Sequence, residues 1–489
     1  MIILVTIICY FAALLLIAHI TGRQGDSNAA FFKGENQSPW YVVSFGMIGA
    51  SISGVTFVSV PGMVRGMDMT YMQTAFGFFF GYLVVAHILL PLYYKMNLTS
   101  IYGYLGNRIG PRAYRTGTFF FLLSRMLGTA AKLYLVCLIL HTYVFQDMNI
   151  PFWVIAIGSV TLVWIYTQKS GIRTIVWTDA LQTFCLIAAL VCIIVFIISR
   201  LNLNFSDIIQ TISQNEHSRI FVFDDWISRQ NFFKQFFSGI FIVIVMTGLD
   251  QDMMQKNLSC RNLREAQKNM YCYGFSFIPL NFLFLCLGVL LLVLAGQMQL
   301  ELPRMNDDIL PMFAAHGYLG KPVLILFTIG IIAAAFSNSD SALTAMTTSV
   351  CVDLLDTEKD SEQKARAKRK RVHLILSLLL AFFVCLVELL NNQSIIDAIY
   401  IIASYTYGPL LGMFAFGLFT RRTTNDRWIP LVAIVSPILC FLTDWWIHKE
   451  TGYKFGYELL MMNGALTFAG LWFMSTKKRQ PESPYIQAT

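Results

Sequence analysis

The stretch "GASISGVTFVSVPG", residues 49–62, lies in an apolar segment yet contains glycine, serine and threonine throughout and ends in a Pro-Gly pair. Its central small and polar residues are Gly49, Ser51, Ser53, Gly54 and Thr56. Glycine and proline weaken a helix interior, and a membrane tolerates unwound backbone only where it is covered by protein or lines a cavity. The stretch therefore predicts a broken membrane helix, although close helix packing favours the same composition. Carbonyl oxygens freed by such a break can coordinate a cation such as Na⁺ where they line a cavity.

The whole chain has the composition of a polytopic membrane protein. Of its 489 residues, 56% are hydrophobic and 13% are charged. The net charge of +8 does not indicate a nucleic-acid partner, because the basic residues lie in short loops between apolar runs, where membrane orientation explains them. The ten cysteines form no CxxC pair and no zinc-like cluster with histidine, so we interpret them as small core residues.

The apolar runs predict thirteen helical membrane spans, if about 20 residues are taken as one crossing. We number them 1 to 13: residues 2–20, 41–64, 72–94, 116–145, 151–167, 174–199, 234–255, 270–297, 321–352, 373–391, 395–419, 428–447 and 456–475. Runs of this length exclude transmembrane strands, which are about half as long and alternate in polarity. The first run lacks a basic leader and a cleavage site, so we expect a retained span and not a signal peptide.

Lysine and arginine predict the orientation. With the N-terminus outside and the C-terminus in the cytoplasm, the inner loops hold about 25 basic residues and the outer side about 8. That count assigns "QKNLSCRNLREAQK", residues 255–268, to an inner loop. We therefore expect a multi-pass protein of the plasma or inner membrane.

Motifs of other function classes are missing from the sequence. There is no Walker A sequence, so we expect an ion gradient and not ATP to supply the energy for transport. A membrane enzyme would need a catalytic constellation, but no HExxH, GxSxG or histidine cluster occurs. A sensor would need a signalling domain, which the sequence does not indicate.

Span 9 carries a polar stripe. Its members recur at helical spacing on one face: Ser337, Asp340, Ser341, Thr344 and Thr348. Single hydroxyls in a membrane helix often bond the carbonyl one turn back, but an acid within such a stripe indicates an ion path. Asp179 in span 6 is a third candidate, although an interfacial ion pair with Arg173 would explain it equally simply.

Span 4 carries basic residues within the membrane. Arg125, Gly128 and Lys132 share one helix face. Lys132 lies so deep in the membrane that its charge needs an explanation. Binding of a solute would supply one, and the alternatives are snorkelling toward the interface or a structural pair with an acid. Four polar residues would complete a substrate pocket around it: Ser51, Ser53, Thr56 and Gln73. The remaining intramembrane polar residues are less specific: Asp250, Gln251 and Asp252 fit a gate or helix packing, and Glu388 fits the outer interface.

Five separated motifs resemble the sodium:solute symporter family in order and spacing. They are "FFKGENQSPWYVVSFGMIGASISGVTFVSVPG", "SGIRTIVWTDALQ", "MTGLDQDMMQKNLSCRN", "AAAFSNSDSALTAMTTSVCVD" and "YTYGPLLGMFAFGLFTRR". The resemblance implies an all-α, LeuT-like fold with two inverted five-helix repeats. The expected organisation is a first span and inner loop (1–40), repeat 1 (41–200), repeat 2 with its loops (201–420), and two C-terminal spans with a short cytoplasmic tail (421–489).

The resemblance also implies specific sites. A first sodium site would use the carbonyls of Gly49, Ile52 and Ala334 with Ser337 and Asn338, where Asn338 replaces the hydroxyl residue usual in the family. A second cation site would comprise Asp179, Asp340 and Ser341, with Asp340 binding either Na⁺ or a proton. Lys132 stands where sialic acid transporters of the family carry a carboxylate-binding arginine.

These expectations define a sodium-coupled symporter that imports a small polar solute by alternating access. The expected solute is an anionic sugar acid such as sialic acid. The alternatives are a neutral sugar, an amino acid or a monocarboxylate, coupled to sodium or to protons. The expected partners are the solute, sodium ions and the lipid bilayer.

Overall fold

The computed structural model describes residues 2–22, 27–145, 148–168, 171–315, 317–390, 395–453 and 455–476, and this part of the chain is mostly helical. Every predicted span contains helix. The principal helices are Ile2–Gly22, Trp40–Ser51, Gly54–Met67, Tyr71–Val84, Leu90–Lys95, Pro111–Ile139, Phe152–Thr167, Ile172–Leu201, Phe232–Val243, Gln251–Leu258, Leu263–Gln297, Lys321–Ser349, Glu362–Leu390, Ile395–Phe419, Ile429–Thr451 and Leu459–Phe473.

Shorter elements connect the principal helices. Short α-helices are Asn28–Lys33, Gly103–Arg108, Phe205–Ser213 and Ile309–Ala315. One turn of π-helix occurs at Val85–Leu89, Leu140–Val144, Ile244–Gly248 and Val350–Leu354. Two short antiparallel strands, Thr423–Thr424 and Ser475–Thr476, pair the segment after span 11 with the end of span 13.

The helices confirm a multi-pass membrane protein. In the described ranges, 8 helices are long and apolar enough to cross a bilayer, or up to 10 if each of two bent helix pairs is one span. The helices of spans 1, 5 and 13 are apolar but shorter. Thirteen crossings therefore remain a prediction, and the shorter helices are the reason.

Span 2 breaks where the sequence predicts it. Trp40–Ser51 and Gly54–Met67 meet at a bend of 58°. The amide of Ser53, which would bond the Gly49 carbonyl in an unbroken helix, donates instead to the Ser51 carbonyl at 3.0 Å. The Thr56 amide, which would bond the Ile52 carbonyl, donates to the Ser53 hydroxyl at 3.4 Å. The break thus takes the helical donors away from the carbonyl oxygens of Gly49 and Ile52.

Gly49 itself serves close packing. A Cβ atom at this position would lie 2.1 Å from the Thr183 hydroxyl oxygen on span 6. The Gly49 amide donates to that same hydroxyl at 3.1 Å. The two explanations of the glycine-rich stretch therefore apply to neighbouring residues, since packing requires Gly49 and the unwound backbone follows at Ile52.

Span 7 is also broken, which the sequence analysis does not predict. Phe232–Gly248 and Gln251–Leu258 meet at 64°. The Asp250 carboxylate caps the second helix by accepting the amide of Asp252 at 2.9 Å. The Gln251 side chain fixes the break to the loop before span 4, since it accepts the Ile101 amide at 3.0 Å and donates to the Thr99 carbonyl at 2.9 Å.

Spans 3 and 7 touch through their backbones. A Cβ at Gly77 would lie 2.1 Å from the carbonyl oxygen of Phe236, and one at Gly239 would lie 2.4 Å from that of Thr74. Both glycines are therefore required by the short distance between the helices. The first helix of each proposed five-span repeat is thus a bent one, as expected if the repeats share one architecture.

Candidate functional site

A central pocket of about 90 Å³ lies beside the break of span 2. Its wall is formed by spans 2, 3, 4, 7, 8 and 9. The polar side chains that line it are Ser51, Thr56, Tyr71, Tyr82, Arg125, Lys132, Thr247, Tyr273 and Asn338. Three of the five predicted substrate residues, Ser51, Thr56 and Lys132, are among them.

The hydroxyls on one side of the pocket form a chain. Ser51 shares a hydrogen bond with Tyr273, and the Tyr82 hydroxyl donates to the Tyr273 hydroxyl at 2.8 Å. The two tyrosine rings lie 4.5 Å apart between centroids. This side of the pocket therefore offers hydroxyl groups, supported by aromatic rings, to a polar solute.

The two basic residues of span 4 have different surroundings. Arg125 is 6% exposed and forms ion pairs with Asp252 and, at 3.7 Å, with Asp250. Tyr407 also donates to Asp250. Lys132 also lines the pocket, but no acid lies within ion-pair distance of it in the described part of the chain. Lys132 is therefore the cation available to a solute.

Two predicted substrate residues lie away from the pocket. Ser53 caps the second helix of span 2, where its hydroxyl accepts the Thr56 amide. Gln73 is fully buried, accepts the Val222 amide at 3.0 Å and donates to the Gln230 carbonyl at 2.8 Å. Gln73 thus fixes the long loop before span 7 instead of lining the pocket.

Asn338 of the expected first sodium site contacts the broken stretch of span 2. The Asn338 side-chain nitrogen donates to the Ala50 carbonyl at 3.0 Å, which joins span 9 to the broken stretch. The side-chain amide oxygen of Asn338 is buried and accepts no hydrogen bond from the described residues. On the same buried helix, Ala334 lies one turn before Asn338, and Ser337 directly precedes it. Freed carbonyls and an unused amide oxygen are suitable ligands for Na⁺.

Asp179 is the centre of the expected second site. It is fully buried and accepts the Ser337 hydroxyl at 2.6 Å and the Ser341 hydroxyl at 3.4 Å. The alternative of an ion pair with Arg173 is wrong, because that arginine pairs with Glu35 at 3.1 Å. Asp179 is therefore an intramembrane group.

Asp340 lies in a separate set of hydrogen bonds. It accepts the Tyr166 hydroxyl at 2.8 Å and the Ser341 amide at 2.6 Å. On the same stripe, Thr348 accepts from Gln255 at 3.0 Å and donates to the Thr344 carbonyl at 2.9 Å. The structure thus brings only part of the stripe to Asp179.

Lys256 corrects the interpretation of residues 255–268 as a loop. It lies on helix Gln251–Leu258, its side chain is 1% exposed, and its Nζ atom is 2.7 Å from the Asp179 Oδ2 atom. Counting it among inner-loop cations was wrong, because the break in span 7 turns this helix into the protein interior. The apolar run of span 7 ends at residue 255, so the sequence gives no signal that Lys256 continues a buried helix.

The comparison with known families agrees with this geometry. The pattern of the sodium:solute symporter family matches residues 31–427. The chain belongs to that family. It is therefore a sodium-coupled membrane transporter and not an enzyme, as the sequence predicts.

Several characterised relatives are similar over most of the chain. The sodium/sialic acid symporter NanT of Aliivibrio fischeri is 24% identical, over 92% of this chain and 88% of its own. SiaT, the sodium/sialic acid symporter of Proteus mirabilis, is 23% identical, over 88% of this chain and 87% of its own. The human sodium/iodide cotransporter is 23% identical over 84% of this chain and 65% of its own.

Solved structures confirm the fold. A Na⁺-coupled sialic acid symporter in a substrate-bound, outward-open state superposes with a TM-score of 0.82 over 98% of this chain and 99% of its own, at 20% identity. A nucleobase-cation-symport-1 family transporter in a closed conformation gives a TM-score of 0.56 over 90% of this chain and 92% of its own. The symporter here thus has the expected LeuT-like architecture.

Proposed function

We propose that this symporter imports an anionic sugar acid of the sialic acid type together with Na⁺. The observation that carries the proposal is Lys132, an ammonium without an acid partner among the described residues, in a pocket beside the broken helix. A carboxylate would supply the missing counter-charge and offset the cost of a buried cation. The sialic acid symporters among its relatives support this choice.

The rest of the pocket suits a polyhydroxylated solute. Ser51, Tyr82 and Tyr273 offer hydroxyls that both donate and accept, while Phe78 and Phe277 give apolar surface for the sugar carbons. A pocket of about 90 Å³ is smaller than most small-molecule sites, which are about 300–1,000 Å³. A nine-carbon acid therefore needs a wider conformation of this pocket than the one described.

Sodium binds next to the solute in this mechanism. The proposed ligands are the carbonyls of Gly49, Ile52 and Ala334 with Ser337 and Asn338. Two local observations support this site. The break of span 2 frees the carbonyls of Gly49 and Ile52, and the side-chain nitrogen of Asn338 on span 9 donates to the Ala50 carbonyl at 3.0 Å. An ion bound here ties the two elements together, so sodium favours the conformation that binds solute.

The arrangement in the membrane completes the proposal. We place the N-terminus outside and the C-terminus in the cytoplasm, with residues 41–200 and 201–420 as the two inverted repeats. The support is the excess of basic residues on one side and the bent helix that begins each repeat. Cysteine accessibility at residues 2–4 and at the C-terminal tail tests this orientation.

The function is tested by uptake of N-acetylneuraminate into proteoliposomes with and without a sodium gradient. We expect accumulation only with inward-directed sodium. In parallel, purified protein should be stabilised against heating by N-acetylneuraminate in Na⁺ but much less in K⁺, since a ligand at 100 times its Kd stabilises by about 2.7 kcal/mol. Sodium-independent accumulation would refute sodium coupling, and no uptake or stabilisation would refute the proposed solute.

The small pocket volume favours a second candidate, a short monocarboxylate. Lactate or pyruvate would satisfy Lys132 and need far less space than a sugar acid. Competition separates the two candidates: a sugar-acid transporter is not inhibited by millimolar lactate, whereas a monocarboxylate transporter is inhibited by lactate and ignores N-acetylneuraminate.

A further inference from the structure

Lys256 lies where a mobile cation would be expected. Its Nζ atom is 2.7 Å from Asp179 Oδ2 and 4.0 Å from Asp252 Oδ1. All three side chains are at most 2% exposed. Burial of an ammonium is costly without a counter-charge, so this position is specified by the two acids around it.

One of the two carboxylates beside Lys256, that of Asp179, belongs to the expected second cation site. The Asp179 Oδ2 atom also accepts the Ser341 hydroxyl at 3.4 Å, and Asp179 Oδ1 accepts the Ser337 hydroxyl at 2.6 Å. An ion bound to Asp179 Oδ2 and the Ser341 oxygen would need the space beside Oδ2. At 2.7 Å, the ammonium leaves no room there for a sodium ion between it and the carboxylate.

We propose that Lys256 is a tethered cation that replaces sodium at this second position, so that the transporter binds one sodium ion per cycle. The inference rests on the proposed sodium-coupled uptake and specifies its stoichiometry. Asp179 therefore does not bind sodium but is neutralised within the chain. The remaining sodium ion binds at the break of span 2.

The charges of the neighbouring residues are consistent with one mobile ion. Arg125 pairs with Asp250 and Asp252, and Lys256 pairs with Asp179. Asp340 is held by a hydroxyl and a backbone amide, and it forms no ion pair in the described part of the chain. Removal of Lys256 would leave Asp179 unpaired near Asp340, and uncompensated carboxylates in a buried site attract a cation.

The tether has an electrical consequence. One sodium ion imported with one monoanion moves no net charge. Lys256 stays in the protein and makes no net contribution to the charge carried, provided that it remains protonated through the cycle. A second sodium ion would instead make each transport cycle move one positive charge inward.

The direct test is sodium binding, which needs no knowledge of the solute. Equilibrium binding of ²²Na⁺ to the purified full-length protein should reach one ion per chain. In Lys256→Ser, which opens the position and adds a hydroxyl, we expect two ions, with a Hill coefficient of uptake rising from about 1 toward 2. Lys268→Ser is the matched control because it removes an exposed lysine from the neighbouring helix, and it should bind one ion.

The opposite results overturn the inference. Two bound sodium ions in the unmodified protein refute it without any variant, so a Lys256→Ser protein that does not fold leaves the test intact. One ion in both the unmodified protein and a folded Lys256→Ser variant also refutes it, because the position would then not be a cation site.

A charge measurement distinguishes this inference from the proposed function. On a solid-supported membrane with N-acetylneuraminate, the unmodified protein should give no transport current while radiolabelled solute still enters. Uptake with a current of one charge per solute keeps sodium coupling but refutes the tethered cation. Uptake without any need for sodium refutes the coupling itself and, with it, the inference that rests on it.

Discussion

Replacing Lys132 by glutamine should weaken binding of an anionic solute far more than binding of its neutral analogue. Arg125 already pairs with Asp250 and Asp252, whereas Lys132 faces the pocket without an acid partner among the described residues. Glutamine keeps the length and a donor but removes the charge. The change therefore isolates the electrostatic part of solute recognition.

The magnitude follows from the type of hydrogen bond. A bond to a charged group contributes about 1.5–3 kcal/mol and a neutral one about 0.5–1.5 kcal/mol. Since about 1.4 kcal/mol is a tenfold change in Kd, Lys132→Gln should raise the Kd for N-acetylneuraminate about 10- to 150-fold. Its methyl ester, which lacks the negative charge, should lose about 10-fold at most.

Isothermal titration calorimetry in saturating Na⁺ would measure both dissociation constants. Lys132→Arg is the matched variant, because it keeps the charge and should lose less affinity than Lys132→Gln. Equal losses for acid and ester in Lys132→Gln would contradict the argument and make Lys132 a helix-pairing residue. The solute class would then be undecided again.

Three further variants test the ion site and the packing. Ser337→Ala should raise the half-saturating sodium concentration of uptake by about tenfold, since one ligand oxygen is lost, and an unchanged value would exclude Ser337 as a ligand. Asp340→Asn should leave the number of bound ²²Na⁺ ions unchanged, and a lower number would make Asp340 a sodium ligand. Gly49→Ala should destabilise the protein by about 1–3 kcal/mol in thermal unfolding because its Cβ would meet Thr183, and a wild-type melting temperature would contradict the packing argument.

The sequence predicts the helices and the first break well because both depend on local composition. Long apolar runs specify membrane helices, and the dense small residues around Ser51 mark the break of span 2. The resemblance to the family also implies that Ser337 and Asn338 of span 9 lie near that break, and the bond from Asn338 to Ala50 is consistent with this. The crossing number is less predictable, since three apolar helices are short.

The other features depend on contacts between distant parts of the chain. Hydropathy ends span 7 at residue 255 and so places Lys256 in a loop, although every residue of the helix Gln251–Leu258 is buried. Only its packing against Asp179 reveals why Lys256 is there. Gln73 shows the reverse error, because a polar residue within an apolar span can bond a loop backbone instead of a solute.

The backbone contact between Gly77 and Gly239 limits how the transporter can move. Where two helices touch with no side chains between them, no flexible layer can absorb sliding of one past the other. Span 3 and the first half of span 7, Phe232–Gly248, should therefore move as one rigid block. Bending is then left to the backbone between Gly248 and Gln251, where the helix is already interrupted. A larger residue at either glycine would separate the block, and solute release would slow even though neither residue lines the central pocket.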